Sequence, residues 1–98
     1  MSTPTISRTR STDTRTLLIE TGRGSVEAFA ALYDEVAPLV HGVSVAALPD
    51  PESCDRVTVD VFLQLWRRAP QYDPERQEPI PWILGISYRE VAAHCDSP

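Results

Sequence analysis

The side chains with the clearest chemical potential lie in one proline-rich stretch, "APQYDPERQEPIPW", residues 69–82. Tyr72 and Trp82 flank Arg76 and Gln77, a set that could stack on an unpaired nucleic-acid base and hydrogen-bond its edge. The same two aromatic residues could instead be core anchors at the ends of two helices. The spacing alone leaves both interpretations open.

No catalytic or metal-binding set accompanies these residues in the sequence. His41 and His94 are isolated, and no serine or cysteine lies in a known nucleophile motif. Cys54 and His41 could join the adjacent His94 and Cys95 as zinc ligands, but adjacent residues on one helix point about 100° apart. We therefore predict no catalytic residue, no metal site and no cofactor, with Cys54 as a small core residue.

Charge is distributed unevenly along the 98 residues, which carry a formal net charge of −5. Residues 1–15 hold three arginines and one acid, residues 16–55 hold one arginine and seven acids, and residues 56–98 hold five arginines and six acids. A protein that holds duplex DNA mainly through its phosphates needs clustered Lys and Arg, whereas this chain has no lysine. An anionic partner should therefore meet the second half of the chain or its N-terminal segment.

Hydrophobic periodicity predicts one all-α domain. A chain of this length, 42% apolar, corresponds to a single small globular unit. Residues 1–15 are rich in Ser, Thr and Arg and are predicted to form a disordered tail, with the folded domain over residues 16–95. Because no segment alternates with period two, the predicted fold is a compact bundle of three to four helices.

Capping residues and prolines divide the domain into helices. Ser25 begins the first, whose apolar spacing continues past Pro38, so this stretch is either one kinked helix or two helices. Asp50 and the proline after it begin the next helix, which ends before Pro70 and is amphipathic with a polar outer face. The last helix starts near Pro81 and carries two adjacent apolar stripes, so we expect it to be the most enclosed.

The sequence predicts a cytoplasmic protein without membrane contact. The N-terminus lacks the apolar segment of a signal peptide, and nowhere do about 18 apolar residues run together. Cys54 and Cys95 have no paired spacing, which suits a reducing compartment in which both thiols stay free.

Three segments resemble one known protein family in their order, content and spacing. They are "FAALYDEVAPLVHGV", "DPESCDRVTVDVFLQLWRRAPQYDP" and "PWILGISYREVAAH". Together they resemble region 2 of the extracytoplasmic-function (ECF) sigma factors, compact members of the sigma-70 family of bacterial transcription initiation factors. The resemblance spans about Gly24 to His94, and its most specific elements are "VFLQLWRR", "YDP" and "PWIL".

The resemblance implies two binding surfaces and no enzymatic activity. The first would dock on the clamp helices of the largest subunit of core RNA polymerase, through Asp55, Arg56, Asp60, Gln64, Arg67 and Arg68. The second would contact the non-template strand of the promoter −10 element during DNA melting, with the loop capturing a flipped-out base. Its positions would be Gln71, Tyr72, Asp73, Arg76, Gln77, Trp82, Tyr88 and Arg89.

A second hypothesis follows from the positions that differ from the usual family pattern. Arg56 stands where the family usually has an acid, Val59 where it has a glutamine, and the last helix is less basic. A degenerate relative would keep the fold and act through protein contacts alone, by binding an anti-sigma factor or the polymerase without recognising a promoter. Under either hypothesis we expect no region 4 domain, the part of a sigma factor that reads the −35 element.

Overall fold

The computed structural model describes residues 13–95, and within them it contains four α-helices, one short 3₁₀ helix and no β-strand. The elements are α1 (Thr14–Gly22), α2 (Val26–Ala47), α3 (Pro51–Arg68), the 3₁₀ helix (Ala69–Gln71) and α4 (Pro79–Cys95). The predicted all-α bundle is confirmed.

Polar side chains explain where three of the helices begin. Asp13, Ser25 and Asp50 each accept a hydrogen bond from a backbone N–H of the first turn, at 2.8, 3.0 and 2.9 Å. Such N-caps satisfy donors that have no partner inside the helix. The same bonds lower the pKa of the two aspartates below its ordinary value, because they stabilise the charged carboxylate. The predicted starts at Ser25 and Asp50 are confirmed.

Helix α1 corrects the predicted extent of the N-terminal tail. Residues 1–12 of that tail lie outside the described part of the chain, but residues 13–15 form the cap and first turn of α1. A helix of nine residues is too short to be stable in isolation, so it depends on tertiary packing. The side chains that it buries are Leu17, Leu18 and Thr21.

Helix α2 is a single helix of 22 residues that runs through Pro38. Of the two arrangements that the sequence allowed, one helix or two, the structure has one. A proline inside a helix leaves the carbonyl four residues earlier without its donor, here that of Asp34. Both residues are exposed, so water can hydrogen-bond to this carbonyl and the helix continues.

The core is built around the predicted apolar stripe of α3. The buried residues of that stripe are Cys54, Val57, Val61, Phe62 and Leu65. They share one hydrophobic cluster with side chains from the other helices, among them Leu18, Leu32, Val36, Val40, Ile83 and Ile86. Burying each large aliphatic side chain contributes about 1.5–3 kcal/mol. This burial fixes which residues of α3 point outward.

The expectation that the last helix is the most enclosed is wrong. Ile83 and Ile86 are buried, but Tyr88 is 58% exposed and Leu84 is only partly buried. Leu84, Tyr88 and Val91 line an open apolar groove of about 490 Å³ against the C-terminal half of α2. No element within residues 13–95 covers this groove.

The two cysteines, both among the described residues, differ in burial. Cys54 is buried in the core, as predicted, and Cys95 is exposed, and both are free thiols.

Between Asp13 and Cys95, no helix combines the length and apolarity that crossing a bilayer requires. In the same range, no three His, Cys, Asp or Glu side chains form a group that could hold a metal ion.

Candidate functional site

The six residues predicted to face the polymerase lie on α3 outside its buried stripe. Four are exposed, and Asp60 and Gln64 are partly buried. Arg68 Nε donates a hydrogen bond of 3.3 Å to Gln64 Oε1, one turn earlier on the helix. No member of the set forms an ion pair with another described residue. We call the surface formed by the six and by three apolar neighbours the α3 face: Asp55, Arg56, Val59, Asp60, Leu63, Gln64, Trp66, Arg67 and Arg68.

An exposed apolar strip runs along the α3 face, where the sequence predicted a polar surface. Val59, Leu63 and Trp66 are 59%, 51% and 36% exposed. Their spacing of four and three residues places them on one side of the helix. Contiguous exposed apolar groups commonly mark protein interfaces. The prediction of a polar outer face did not include this apolar strip, although the helical spacing of its three residues is visible in the sequence.

Helix α2 extends this apolar strip. Phe29 packs edge-on against Trp66 with ring centroids 5.1 Å apart. The exposed ring of Tyr33 packs against Phe62 at 4.5 Å. Tyr33 and Val59 also line an open cleft of about 390 Å³ between α2 and α3. The candidate protein-binding surface therefore includes the adjoining edge of α2.

The loop after α3 is a compact turn built on Asp73. Its Oδ1 accepts a hydrogen bond of 3.0 Å from the N–H of Glu75. Its backbone carbonyl accepts bonds of 3.1 and 3.0 Å from the N–H groups of Arg76 and Gln77. An aspartate that bonds the backbone just after it is typical of tight turns. These bonds fix the course of residues 73–77.

The two aromatic residues of the loop pack against each other. Tyr72 is only 7% exposed, and its hydroxyl donates a hydrogen bond of 2.9 Å to the carbonyl of Gln77. Its ring lies edge-on to that of partly buried Trp82, with centroids 5.2 Å apart. Of the two interpretations that the sequence left open, core anchoring describes Tyr72 in this structure, because so enclosed a ring leaves no face for a base.

Four of the predicted DNA-contacting residues line one open cleft of about 500 Å³. We call it the polar cleft, and its lining residues are Gln71, Asp73, Arg76 and Gln77. All but Asp73 are exposed. A side-chain amide both donates and accepts hydrogen bonds, and a guanidinium offers five donors. These are groups that can pair with the edge of a nucleobase.

Tyr88 and Arg89 lie further along α4 and do not line the polar cleft. Tyr88 lies six positions after Trp82, which is about 9 Å along a helix axis. Tyr88 lines the apolar groove against α2, and Arg89 Nε donates a hydrogen bond of 3.4 Å to the carbonyl of Gly85. The eight predicted positions therefore separate into four in the cleft, two aromatic residues that pack together, and two on the later turns of α4.

Arg15 joins α1 to the end of the loop, a contact that the sequence did not reveal. Its Nη2 lies 3.0 and 3.1 Å from the two carboxylate oxygens of Glu78, the residue after Gln77. The partners are 63 positions apart in sequence, and Arg15 falls within the predicted tail. No local pattern could have indicated the pair.

Comparisons with known proteins agree on one family. The family model described as sigma-70 region 2 matches residues 32–96. The ECF RNA polymerase sigma factor SigK of Mycobacterium sp. strain KMS is 39% identical over 80 residues, which are 82% of this chain and 42% of that protein. The protein of the same name from Mycolicibacterium vanbaalenii is 38% identical over 75 residues, which are 76% of this chain and 38% of that protein.

More distant relatives carry the same name. SigK of Mycobacterium bovis strain BCG is 28% identical over 81 residues, covering 83% of this chain and 43% of that protein. The chain thus spans about two-fifths of the length of the curated relatives that it matches. No solved structure matches it.

The family model covers most of the chain and includes most of the residues that carry the sequence resemblance. Sigma factors form a family of transcription initiation factors. The chain belongs to the sigma-70 region 2 family and is a domain of the ECF sigma factor type.

Proposed function

We propose that the chain acts in transcription initiation by binding core RNA polymerase through the α3 face and an unpaired base of the promoter −10 element in the polar cleft. The observation that carries the proposal is the convergence of Gln71, Asp73, Arg76 and Gln77 on one cleft. Because α3 leads directly into this loop, docking of α3 would hold the cleft at a fixed place on the polymerase.

The α3 face has the composition of a protein interface. Val59, Leu63 and Trp66 offer apolar contact, and Arg67 and Arg68 supply charge at the C-terminal end of the helix. In interfaces, apolar burial contributes affinity, and complementary charges contribute orientation and specificity. The proposed partner is the pair of clamp helices of the largest polymerase subunit. An anti-sigma factor that covered the same face would block docking.

The polar cleft suits a base that has left the duplex. Gln71 and Gln77 can donate and accept at the edges of an unpaired base, and Arg76 can donate. Base flipping exposes edges that pairing hides. Since the formal net charge is −5, contacts to phosphates should be few and the free chain should bind a single strand measurably but weakly at low salt. Docking on the polymerase would then raise the effective concentration of the strand.

Tyr88 and Arg89 are the proposed continuation of the DNA surface. Both are exposed on α4, beyond the turn that begins near Trp82. An exposed aromatic ring can stack on a base, and an exposed guanidinium can contact a phosphate. The non-template strand would then run from the polar cleft along α4. This function also places the protein in the cytoplasm, with the transcription machinery.

Co-purification with core RNA polymerase tests the protein-binding half of the proposal. Wild type should be retained, and joint replacement of Arg67→Glu and Arg68→Glu should reduce retention by reversing two exposed charges. Arg23→Glu, which reverses an exposed charge outside the α3 face, is the matched control and should be retained like wild type. Absence of wild-type binding would refute this half.

Fluorescence anisotropy with a labelled −10-like single strand at low salt tests the DNA-binding half. Measurable affinity that falls with added salt and with Arg76→Ala is expected. The second candidate function, protein contacts alone, is favoured by the exposed apolar strip and the negative net charge. It predicts polymerase or anti-sigma binding without measurable affinity for the single strand.

A further inference from the structure

Helix α1 contacts both ends of the loop that forms the polar cleft. At its C-terminal end, Gly22 lies so close to the start of the loop that a Cβ there would be 2.7 Å from the carbonyl oxygen of Ala69. At its N-terminal end, Arg15 pairs with Glu78 at the end of the loop. The family model matches from residue 32 onward, so α1 lies outside the matched region. The helix therefore spans the loop from its first residues to its last.

The position of Arg15 is set by its contacts with the loop. Its Nη2 bonds both carboxylate oxygens of Glu78, at 3.0 and 3.1 Å. Its Nε is buried and has no hydrogen-bond partner among residues 13–95. The adjacent hydroxyl of Tyr72 and the charge of Glu78 raise the pKa of Arg15 above its ordinary value. The ion pair with Glu78 thus holds the Arg15 guanidinium against the end of the loop.

We propose that Arg15 is a positioning residue for base binding, which holds the loop through Glu78 in the shape that forms the polar cleft. The proposal rests on the proposed function of that cleft. Loops held by few apolar contacts open locally at low free energy. An exposed ion pair adds little to global stability, but it can oppose such a local opening. Only the closed shape of the loop, which the Arg15–Glu78 pair holds, forms the polar cleft. The apparent affinity for DNA is therefore proportional to the fraction of molecules in that shape.

Glu78→Gln separates this role from a simple effect of charge. If charge alone matters, removing an acid beside the cleft should tighten binding of a polyanion. The proposal expects the opposite, a loss of about two- to fivefold for both Glu78→Gln and Arg15→Gln, the range typical of exposed ion pairs. The probe is a fluorescein-labelled single-stranded DNA of randomised sequence, measured by anisotropy with the full chain at low salt.

Two control variants make this comparison specific. Arg23→Gln removes an exposed charge just beyond α1 and should change the affinity by less than about twofold. Arg15→Glu combined with Glu78→Arg restores the pair in reverse at the same net charge and should recover the wild-type affinity. Failure of the reversed pair to recover any affinity, or tighter binding by Glu78→Gln, would overturn the proposal.

Amide hydrogen exchange gives a readout that does not depend on DNA. The N–H groups of Arg76 and Gln77 are bonded to the Asp73 carbonyl, and in Arg15→Gln they should exchange about two- to fivefold faster while core amides keep their rates. Unchanged exchange at these two amides would also overturn the proposal. If wild type does not bind the probe, the proposed function fails, and the exchange rates still decide whether Arg15 shapes the loop.

Discussion

Tyr72→Phe distinguishes an anchoring role of Tyr72 from a base-stacking role. It removes the 2.9 Å hydrogen bond to the Gln77 carbonyl and keeps the ring that packs against Trp82. A neutral hydrogen bond contributes about 1 kcal/mol, and because Gln77 is exposed, water can replace part of it. We expect the free energy of unfolding to fall by about 0.5–1 kcal/mol. For a domain of this size, that lowers the melting temperature by roughly 2–8 °C.

The same substitution should weaken binding of a single strand by about two- to fivefold, because the hydrogen bond holds the closed shape of the loop. If Tyr72 instead stacked on a base, phenylalanine would stack equally well and the affinity would not change. Urea unfolding and anisotropy on the same preparations provide the assay. Tyr33→Phe, on the exposed edge of α2, is the control and should change neither quantity. Wild-type stability together with wild-type affinity for Tyr72→Phe would refute the anchoring role.

Three further substitutions test other parts of the structure. Leu63→Asp should abolish co-purification with core polymerase and leave the unfolding free energy within about 0.5 kcal/mol of wild type, because the side chain is 51% exposed. Gly22→Ala places a Cβ 2.7 Å from the Ala69 carbonyl oxygen and should cost about 1–3 kcal/mol in urea titration, whereas Gly42→Ala, whose Cβ meets nothing within 4 Å, should not destabilise. The pKa of Asp50 lies below its ordinary value of 3.8. The N-cap hydrogen bond of its carboxylate therefore contributes fully to the stability of the protein above pH 3.8, and this contribution is lost as the pH falls through the lower pKa of the folded state. Asparagine also caps helices, so Asp50→Asn should match wild type at neutral pH and lose less stability on acidification, as measured by urea unfolding across that range.

The features of the fold that the sequence predicted correctly are fixed by nearby residues. The cap at Asp50 and the buried stripe from Cys54 to Leu65 each depend on side chains within one or two helical turns. Helix α1 depends instead on burying Leu17 and Leu18 against distant helices, which its own nine residues do not indicate. The last helix was predicted to be enclosed because apolar stripes show what could be buried, and they do not show whether another element is present to cover them.

The sequence indicates which loop carries the candidate residues, but not how each of them packs. A loop with aromatic, amide and cationic groups can be recognised from composition, and four of its residues do share one cleft. Whether Tyr72 faces solvent or the core is decided by its bond to a backbone carbonyl and its packing on Trp82, and neither is encoded in spacing. The pairing of Arg15 with Glu78 joins residues 63 positions apart and requires the tertiary structure.

In the proposed function, the polar cleft binds an unpaired base while the α3 face holds the polymerase. The decisive measurement is competition anisotropy on the complex with core RNA polymerase, with single-stranded and duplex competitors of the same −10-like sequence. The single strand should compete about tenfold or more better than the duplex. Joint replacement of Arg76→Ala and Gln77→Ala should remove this preference without reducing co-purification with the polymerase. Equal competition by the duplex, or a preference that survives the double replacement, would show that the polar cleft does not bind an unpaired base.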